Sequence, residues 1–168
     1  MDNFNGIVNT YAKQVYNHTL RILGNKEDAE EATQDVFLKI YKGLERFRGD
    51  SQLSTWIWRI TTNVCYSRIS KKRLATNFLD DVHNQIADAE TYTDTIVDEE
   101  TKEIIAKHLS DLSPHQANAL LLFYFEELNY KEIADVLEMP EGTIATLLHR
   151  GRANLKKKLE VLHKEDVL

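Results

Sequence analysis

NYKEIADVLEMPEGTIATLLHRGRANLKKKL, residues 129–159, is the stretch whose reading decides the fold. Asn129 has the side chain of a helix cap, and Glu132 three residues on can reach back to it, a capping-box variant. Ile133, Ala134 and Leu137 then give a short helix one apolar face. The residues MPEG, with Gly142, turn the chain. Beyond them Ile144, Leu148, Gly151, Leu155 and Leu159 recur at helical spacing, so a second helix buries that stripe. A short helix, a turn of about four residues containing glycine and a second helix make a helix-turn-helix.

The other side of the second helix carries Ala145, Thr146, His149, Arg150, Ala153 and Lys157. Two readings stand. In one, the helix enters the major groove: Thr146, His149 and Arg150 reach base edges, arginine being the usual reader of guanine, while Arg152 and the lysines meet phosphates. In the other, the basic face is merely solvated and its cations complement the helix dipole.

That basic helix closes an acidic chain. The 168 residues carry a net charge of -6, but the charge is unevenly distributed. Residues 1–78 hold 12 Lys/Arg against 8 Asp/Glu, residues 79–111 hold 2 against 10, and residues 112–168 hold 7 against 9. The acidity therefore sits in the middle, where NFLDDVHNQIADAETYTDTIVDEE (77–100) is polar and poor in periodic apolar residues. It reads as a linker between two helical modules.

Upstream, Ile7, Tyr11, Val15 and Ile22 mark a helix over about 4–23. From about Glu27 to Phe47, Ala29, Ala32, Val36, Ile40, Leu44 and Phe47 form an apolar stripe, with Glu27, Asp28, Glu30 and Glu31 crowding the first turns, where the dipole favours them. FRGDS breaks that pattern and offers Asp50 or Ser51 as a cap. A third helix follows, with Leu53, Ile57, Ile60 and Val64 centred on its buried face and a basic end, RISKKR. Trp56 and Asn63 lie at the edge of that face with Arg59 nearby, and Trp58 is expected to point largely away from the core. In the second module, Ser113 followed by Pro114 starts a further helix. No strand alternation competes anywhere, so the fold class is all-α.

The stretch FRGDSQLSTWIWRITTNVCYSRISKKR (47–73) interleaves aromatic and basic side chains. Aromatics stack on unpaired bases while cations track the backbone, as single-strand binding requires. An Asn at the edge of the face can hydrogen-bond a base that has left the stack. Each tryptophan also has a plain structural reading as core.

Composition narrows the classes. Cys65 is the single cysteine, which excludes an internal disulfide and suggests a reducing compartment. No apolar run approaches the ~20 residues of a membrane span, and the N-terminus has no basic start followed by an apolar run, so no signal peptide is expected. A cytoplasmic protein is the expectation. No Gly-rich phosphate loop, HExxH or cluster of metal ligands supports an enzyme; no catalytic residue, cofactor, metal or small-molecule substrate is expected.

DAEEATQDVFLKIYKGLERFRGDSQLSTWIWRITTN (28–63), followed by LSPHQANALLLFYFEELNYKEIADVLEMPEGTIATLLHRGRANLKKKL (112–159), resembles the bacterial RNA polymerase sigma factors of the extracytoplasmic-function class. These keep only the second and fourth sigma domains. The resemblance covers nearly the whole chain and implies sigma domain 2 over 1–76, an acidic flexible linker over 77–100 and sigma domain 4 over 101–168. It implies that Glu31, Gln34, Asp35, Leu38 and Lys42 dock on the clamp helices of the largest subunit of core RNA polymerase, and that the second domain meets the flap of the second-largest. A solvated charged face is the plainer reading of the same helix. It further implies that Gly43, Phe47, Arg48, Trp56, Arg59, Asn63 and Arg68 recognise and melt the minus-ten element, and that Gly43, Phe47 and Asn63 hold a flipped base. Thr143, Thr146, His149, Arg150 and Lys157 would meet the minus-35 element. The chain departs from the family pattern at Ala145 and Leu147, where cations are frequent, which implies a less electrostatic upstream contact. The linker would thread toward the positively charged channels of the polymerase, or serve as a simple tether. An anti-sigma protein, frequently at the membrane, is the regulatory partner that the resemblance implies. The alternative is a stand-alone helix-turn-helix regulator, which has no need of the TWIWRITTN module.

Overall fold

The computed structural model describes residues 2–76 and 99–165. They form two compact units, one carrying the first three helices and the other most of the rest. No strand occurs among the described residues. The linker residues up to Asp98 lie outside them, and the helix that follows begins at Glu99, so residues 99 and 100 of the expected linker are helical.

In the first unit α1 spans Asp2–Leu23, α2 Lys26–Leu44 and α3 Leu53–Thr76. A two-residue link joins α1 to α2. Gly24 takes φ +78° and returns its N–H to Leu20 O at 2.8 Å, the left-handed cap that glycine adopts without a Cβ penalty. Asn25 then caps α2 by accepting from the Asp28 N–H at 2.8 Å. Burial of Ile7, Val15 and Leu20 on α1 against Ala29, Ala32, Val36 and Ile40 on α2 closes the hairpin. The alanines leave room for Thr19, whose Oγ1 lies 3.1 Å from Thr33 Oγ1 and 3.3 Å from Ala29 O.

Helix α2 ends three residues earlier than its apolar stripe suggests. Arg46 and Phe47 return their N–H groups three residues back, to Gly43 and Leu44, a tightened last turn. The next helix starts at Leu53, with Gln52 O accepting from the Trp56 N–H at 3.1 Å. It begins two residues after Ser51 and three after Asp50, the expected caps.

Trp58 corrects the sequence reading outright: it is 2% exposed, and its ring lies 5.1 Å from that of the buried His18 of α1. Both α1 and α2 pack against α3, so its buried arc is wider than a single stripe. The arc takes in Thr55, Ile57, Trp58, Thr61, Thr62, Val64 and Cys65, while Leu53 and Ile60 remain half-buried. Thr61 meets its polar requirement locally, donating to Ile57 O at 2.9 Å.

Cys65 is sealed in this core. Burial pushes its thiol up to about 12, against a small opposing influence of Arg68. A folded pKa above the unfolded one means the contribution is intact below about pH 9 and declines as pH climbs toward 12. We expect the stability of the first unit to fall by up to about 1.4 kcal/mol per pH unit over that window from this group. Urea titrations of the native chain and Cys65→Ala, from pH 8.5 to 10.5, would show a shallower slope in the variant; parallel slopes would refute the assignment.

The second unit contains α4 (Glu99–His108), a 3-10 turn over Leu109–Asp111, α5 (Pro114–Tyr124), α6 (Tyr130–Leu137) and α7 (Glu141–Glu165). Two capping boxes open the middle helices. Ser113 and Gln116 exchange backbone-to-side-chain bonds at 3.3 and 3.4 Å, and Asn129 and Glu132 do so at 3.0 and 2.8 Å. Together they satisfy N–H groups that a helix start leaves orphaned. Asp111 ties the 3-10 turn to its neighbours, 3.2 Å from His108 Nδ1 and 3.7 Å from Lys158 Nζ.

The turn between α6 and α7 is not made by glycine. Glu138 takes the left-handed conformation, φ 55° and ψ 45°, and Met139 N–H returns to Ala134 O at 3.1 Å. Gly142 lies inside the first turn of α7, with open space around it. A left-handed conformation costs a residue with a Cβ roughly 1–2 kcal/mol. Glu138→Gly relieves that cost but also removes the side chain's own interaction, so a net gain of up to about 1 kcal/mol is expected in chemical denaturation; a net loss would mean that the side-chain interaction outweighs the backbone cost.

Candidate nucleic-acid interface

On the first unit the structure gathers Gly43, Phe47 and Trp56. The rings of Phe47 and Trp56 lie 5.0 Å apart, tilted by 36°. The indole rests on the backbone of α2 at Gly43, where an added Cβ would come within 2.9 Å of Trp56 Cζ2 and 3.3 Å of Cη2. Glycine is needed there for close approach, not for its dihedral freedom. Phe47 and Trp56 are both half-buried, leaving part of an aromatic wall open to solvent.

Asn63 is exposed, seven residues beyond Trp56. That is two turns, about 10 Å along one helix face. Arg59, half-buried, falls between them on the same strip, and Arg48 is exposed on the loop before α3. The surface thus presents an aromatic wall, then a cation, then an exposed amide. Arg68 belongs elsewhere. Its guanidinium donates to Asp35 at 2.6 Å and to Glu31 at 3.1 Å, across from α3 to α2. Lys72, one turn on, reaches Asp28 at 3.3 Å. The hydrogen bond from Asn25, opposed by burial and reinforced by Lys72 and Arg68, holds the Asp28 carboxyl below the usual range.

The outward face of α2 is a second surface. Glu31, Gln34, Leu38 and Lys42 are exposed and Asp35 is half-buried, all on one stripe. Leu38 is 51% exposed, and beside it Tyr41 is 55% exposed, its ring 5.2 Å from that of Phe4 in an edge-on contact. Tyr41 was not singled out from the sequence, although its place three residues after Leu38 puts both on one face. Exposed large apolar side chains bordered by charge mark interaction surfaces.

On the second unit Thr143, Thr146, His149, Arg150 and Lys157 all lie exposed along α7, as do Ala153, Lys156 and Lys158. Ile144, Leu148, Gly151 and Leu155 are buried beneath them, whereas Leu159 has no described side chain. Thr146 Oγ1 donates to Gly142 O at 3.0 Å, so its hydroxyl meets a ligand as an acceptor. Arg152 departs from the expected phosphate contact. Its Nε donates to Tyr124 Oη at 2.9 Å, and its guanidinium lies 5.1 Å from the Phe123 ring and 5.5 Å from the Tyr124 ring. Arg152 locks α7 to α5, whereas Lys156 and Lys157 are exposed on α7.

Among the described residues, no group of three or more His, Cys, Asp or Glu could hold a metal ion, and no helix is long and apolar enough to cross a membrane.

Residues 7–75 match Sigma-70 region 2, and residues 102–155 match Sigma-70 region 4. The chain is 32% identical to the ECF RNA polymerase sigma factor SigW of Bacillus subtilis, over 96% of its own length and 91% of the relative's. It is 26% identical to the ECF RNA polymerase sigma-E factor of Escherichia coli K12, over 95% and 87%. Its fold is similar to the sigma factor RpoE in complex with the anti-sigma factor NepR from Bartonella quintana: TM-score 0.80, 21% identity, 96% of this chain and 99% of that one. A region-2 unit is followed in order by a region-4 unit, the likeness to SigW takes in 96% of the chain, and the chain belongs to the extracytoplasmic-function RNA polymerase sigma factors.

Proposed function

We propose that the chain binds core RNA polymerase and promoter DNA and directs transcription initiation, with the labour divided among three surfaces. The α2 stripe of Glu31, Gln34, Asp35, Leu38 and Lys42 docks on the clamp helices of the polymerase. The α3 strip from Trp56 to Asn63, with Gly43, Phe47 and Arg48, captures the minus-ten strand. Residues Thr143 to Lys157 of α7 meet the minus-35 duplex, and the second unit contacts the polymerase flap. The observation that carries this reading is the identity to a sigma factor sustained over 96% of the chain, taking in both units in order. A stand-alone regulator explains only the second unit.

Opening by capture needs no nucleotide hydrolysis. The factor binds the separated strand better than the duplex, and that difference offsets an unpairing cost of a few kcal/mol. Trp56 and Phe47 offer stacking, Arg59 offers charge, and Asn63 offers a donor and an acceptor for the edge of an extruded base. We assign the chain to the cytoplasm, where core polymerase resides, and to control by an anti-sigma protein. The solved structures it resembles include CnrH in complex with the cytosolic domain of CnrY, with a TM-score of 0.67.

Run-off transcription with purified core polymerase tests the reading directly: no initiation at any promoter in a genomic library would overturn it. Within it, Asn63→Ala is expected to reduce promoter opening about tenfold while leaving core affinity within twofold, as loss of a base-edge contact implies. Permanganate reactivity of promoter thymines, measured beside core affinity, checks this; equal losses in both would remove Asn63 from the strand-capturing strip.

A further inference from the structure

Arg68 lies on α3, the helix that carries the strand-capturing strip, yet its guanidinium is committed to α2. Nη2 donates to Asp35 at 2.6 Å and Nη1 to Glu31 at 3.1 Å. Its Nε is buried. Exposure runs the opposite way to the donors: the Arg68 side chain is 24% exposed, against 61% for Glu31 and 49% for Asp35. The cation is sunk between the helices and the carboxylates stand above it, each with oxygen lone pairs still open to solvent.

Charge decides what such a surface attracts. Around Arg68 and Lys72 stand the carboxylates of Glu31, Asp35 and Asp28, two cations against three anions. A DNA phosphate approaching Arg68 would meet that excess of negative charge and would also have to displace a 2.6 Å ion pair. A partner that donates cationic hydrogen bonds around an apolar centre meets the reverse: fixed acceptors at positions 31 and 35, with Leu38 one turn beyond. Acceptors held in one rotamer lose less freedom on binding than mobile ones.

We propose that Arg68 is a positioning residue of the polymerase-docking face, and not a DNA contact: it holds Glu31 and Asp35 in one outward arrangement for a cationic partner surface. The proposal rests on the reading of α2 as the docking helix. It transfers Arg68 from the promoter surface to the polymerase surface, and it makes α3 support docking on one side while capturing DNA on another.

The test uses the full chain and core RNA polymerase. Fluorescently labelled chain is titrated with core, and the affinity of the saturated holoenzyme for a single-stranded minus-ten oligonucleotide is measured separately. Arg68→Ala is expected to weaken core binding about five- to tenfold and to leave oligonucleotide affinity within twofold. In an Asp35→Ala background the same change should have little further effect on core binding, because its partner is already gone. Arg68→Lys keeps the charge without the two-pronged geometry and should fall between native and Ala. Thermal melts accompany each variant, and Arg68→Gln replaces Arg68→Ala if the latter melts early. Unchanged core affinity, a loss confined to the oligonucleotide step, or fully additive effects with Asp35→Ala would overturn the proposal. The combined Glu31→Ala/Asp35→Ala variant separates this from the underlying reading. If it binds core normally, α2 is not the docking helix; if it binds poorly while Arg68→Ala binds normally, only the role of Arg68 fails.

Discussion

Trp58→Ala is expected to unfold most of the first unit, whereas Trp56→Ala, two residues away, leaves it folded and removes its grip on DNA. Trp58 is almost completely buried against His18, inside a three-helix core. Truncating a buried Trp to Ala costs about 3–5 kcal/mol, through lost transfer energy and the cavity that remains. Total stabilities run from about 5 to 15 kcal/mol, with small units at the low end. The change therefore consumes most of what such a unit has. Trp56 is half-buried, leaning on Gly43 and Phe47 with part of its indole in water. Its removal exposes one helix surface and leaves no sealed void. A base stacked on an aromatic side chain is worth about 1–3 kcal/mol, so Trp56→Ala should reduce minus-ten strand capture roughly five- to 150-fold. Urea unfolding by circular dichroism together with single-strand binding by the holoenzyme distinguishes the two. A folded, DNA-deficient Trp58→Ala beside an unfolded Trp56→Ala would invert the assignment of core and site.

The second large effect is at Gly151. An added Cβ there would sit 2.9 Å from Leu120 Cδ1, 3.3 Å from its Cγ and 3.7 Å from Gln116 Cβ. Leu120 is fully buried, with no solvent to retreat into. Gly151→Leu forces at least four carbon atoms into that contact, so α7 must lift from α5 or Leu120 must leave its rotamer. Overpacking costs about 1–3 kcal/mol and occasionally more. Removing a mid-helix glycine returns just under 1 kcal/mol, so the net loss should be up to about 2 kcal/mol. At Gly142, with nothing within 4 Å, the same substitution carries only the propensity gain and should stabilise slightly. Denaturation of both variants checks the opposite signs. Because α7 carries Thr146, His149 and Arg150, Gly151→Leu should also weaken upstream promoter binding; a stable, fully binding variant would show that α5 and α7 do not need their close approach.

The two glycines show where local signals suffice and where they mislead. As a sequence, MPEG points to Gly142 as the turn former, yet the left-handed residue is Glu138. A turn signal marks that the chain reverses, but which residue absorbs the positive φ depends on how α6 and α7 meet. Gly151, read simply as one member of an apolar stripe, is a point of helix contact that no pattern within α7 reveals.

The helices themselves were legible because their determinants are local. Ser113–Pro114 and Asn129–Glu132 cap within four residues, and Ile144, Leu148, Gly151 and Leu155 recur at the helical period whatever lies opposite. The second aromatic, Trp58, was misplaced because a helical wheel assumes one neighbour, while α3 has two.

From the chain of letters alone came the all-α class, the two modules in order, the helix-turn-helix and the outward residues of α7, all written in spacings shorter than about ten residues. Only the tertiary structure decided the fate of the long cationic side chains. Arg68 finds Glu31 and Asp35 across 37 and 33 positions, and Arg152 finds Tyr124 across 28. A charged side chain on a wheel looks equally available to solvent, phosphate or carboxylate. Which of these it meets is set by packing of helices distant in sequence, since electrostatic attraction near a protein surface acts over only a few ångströms before water and salt screen it.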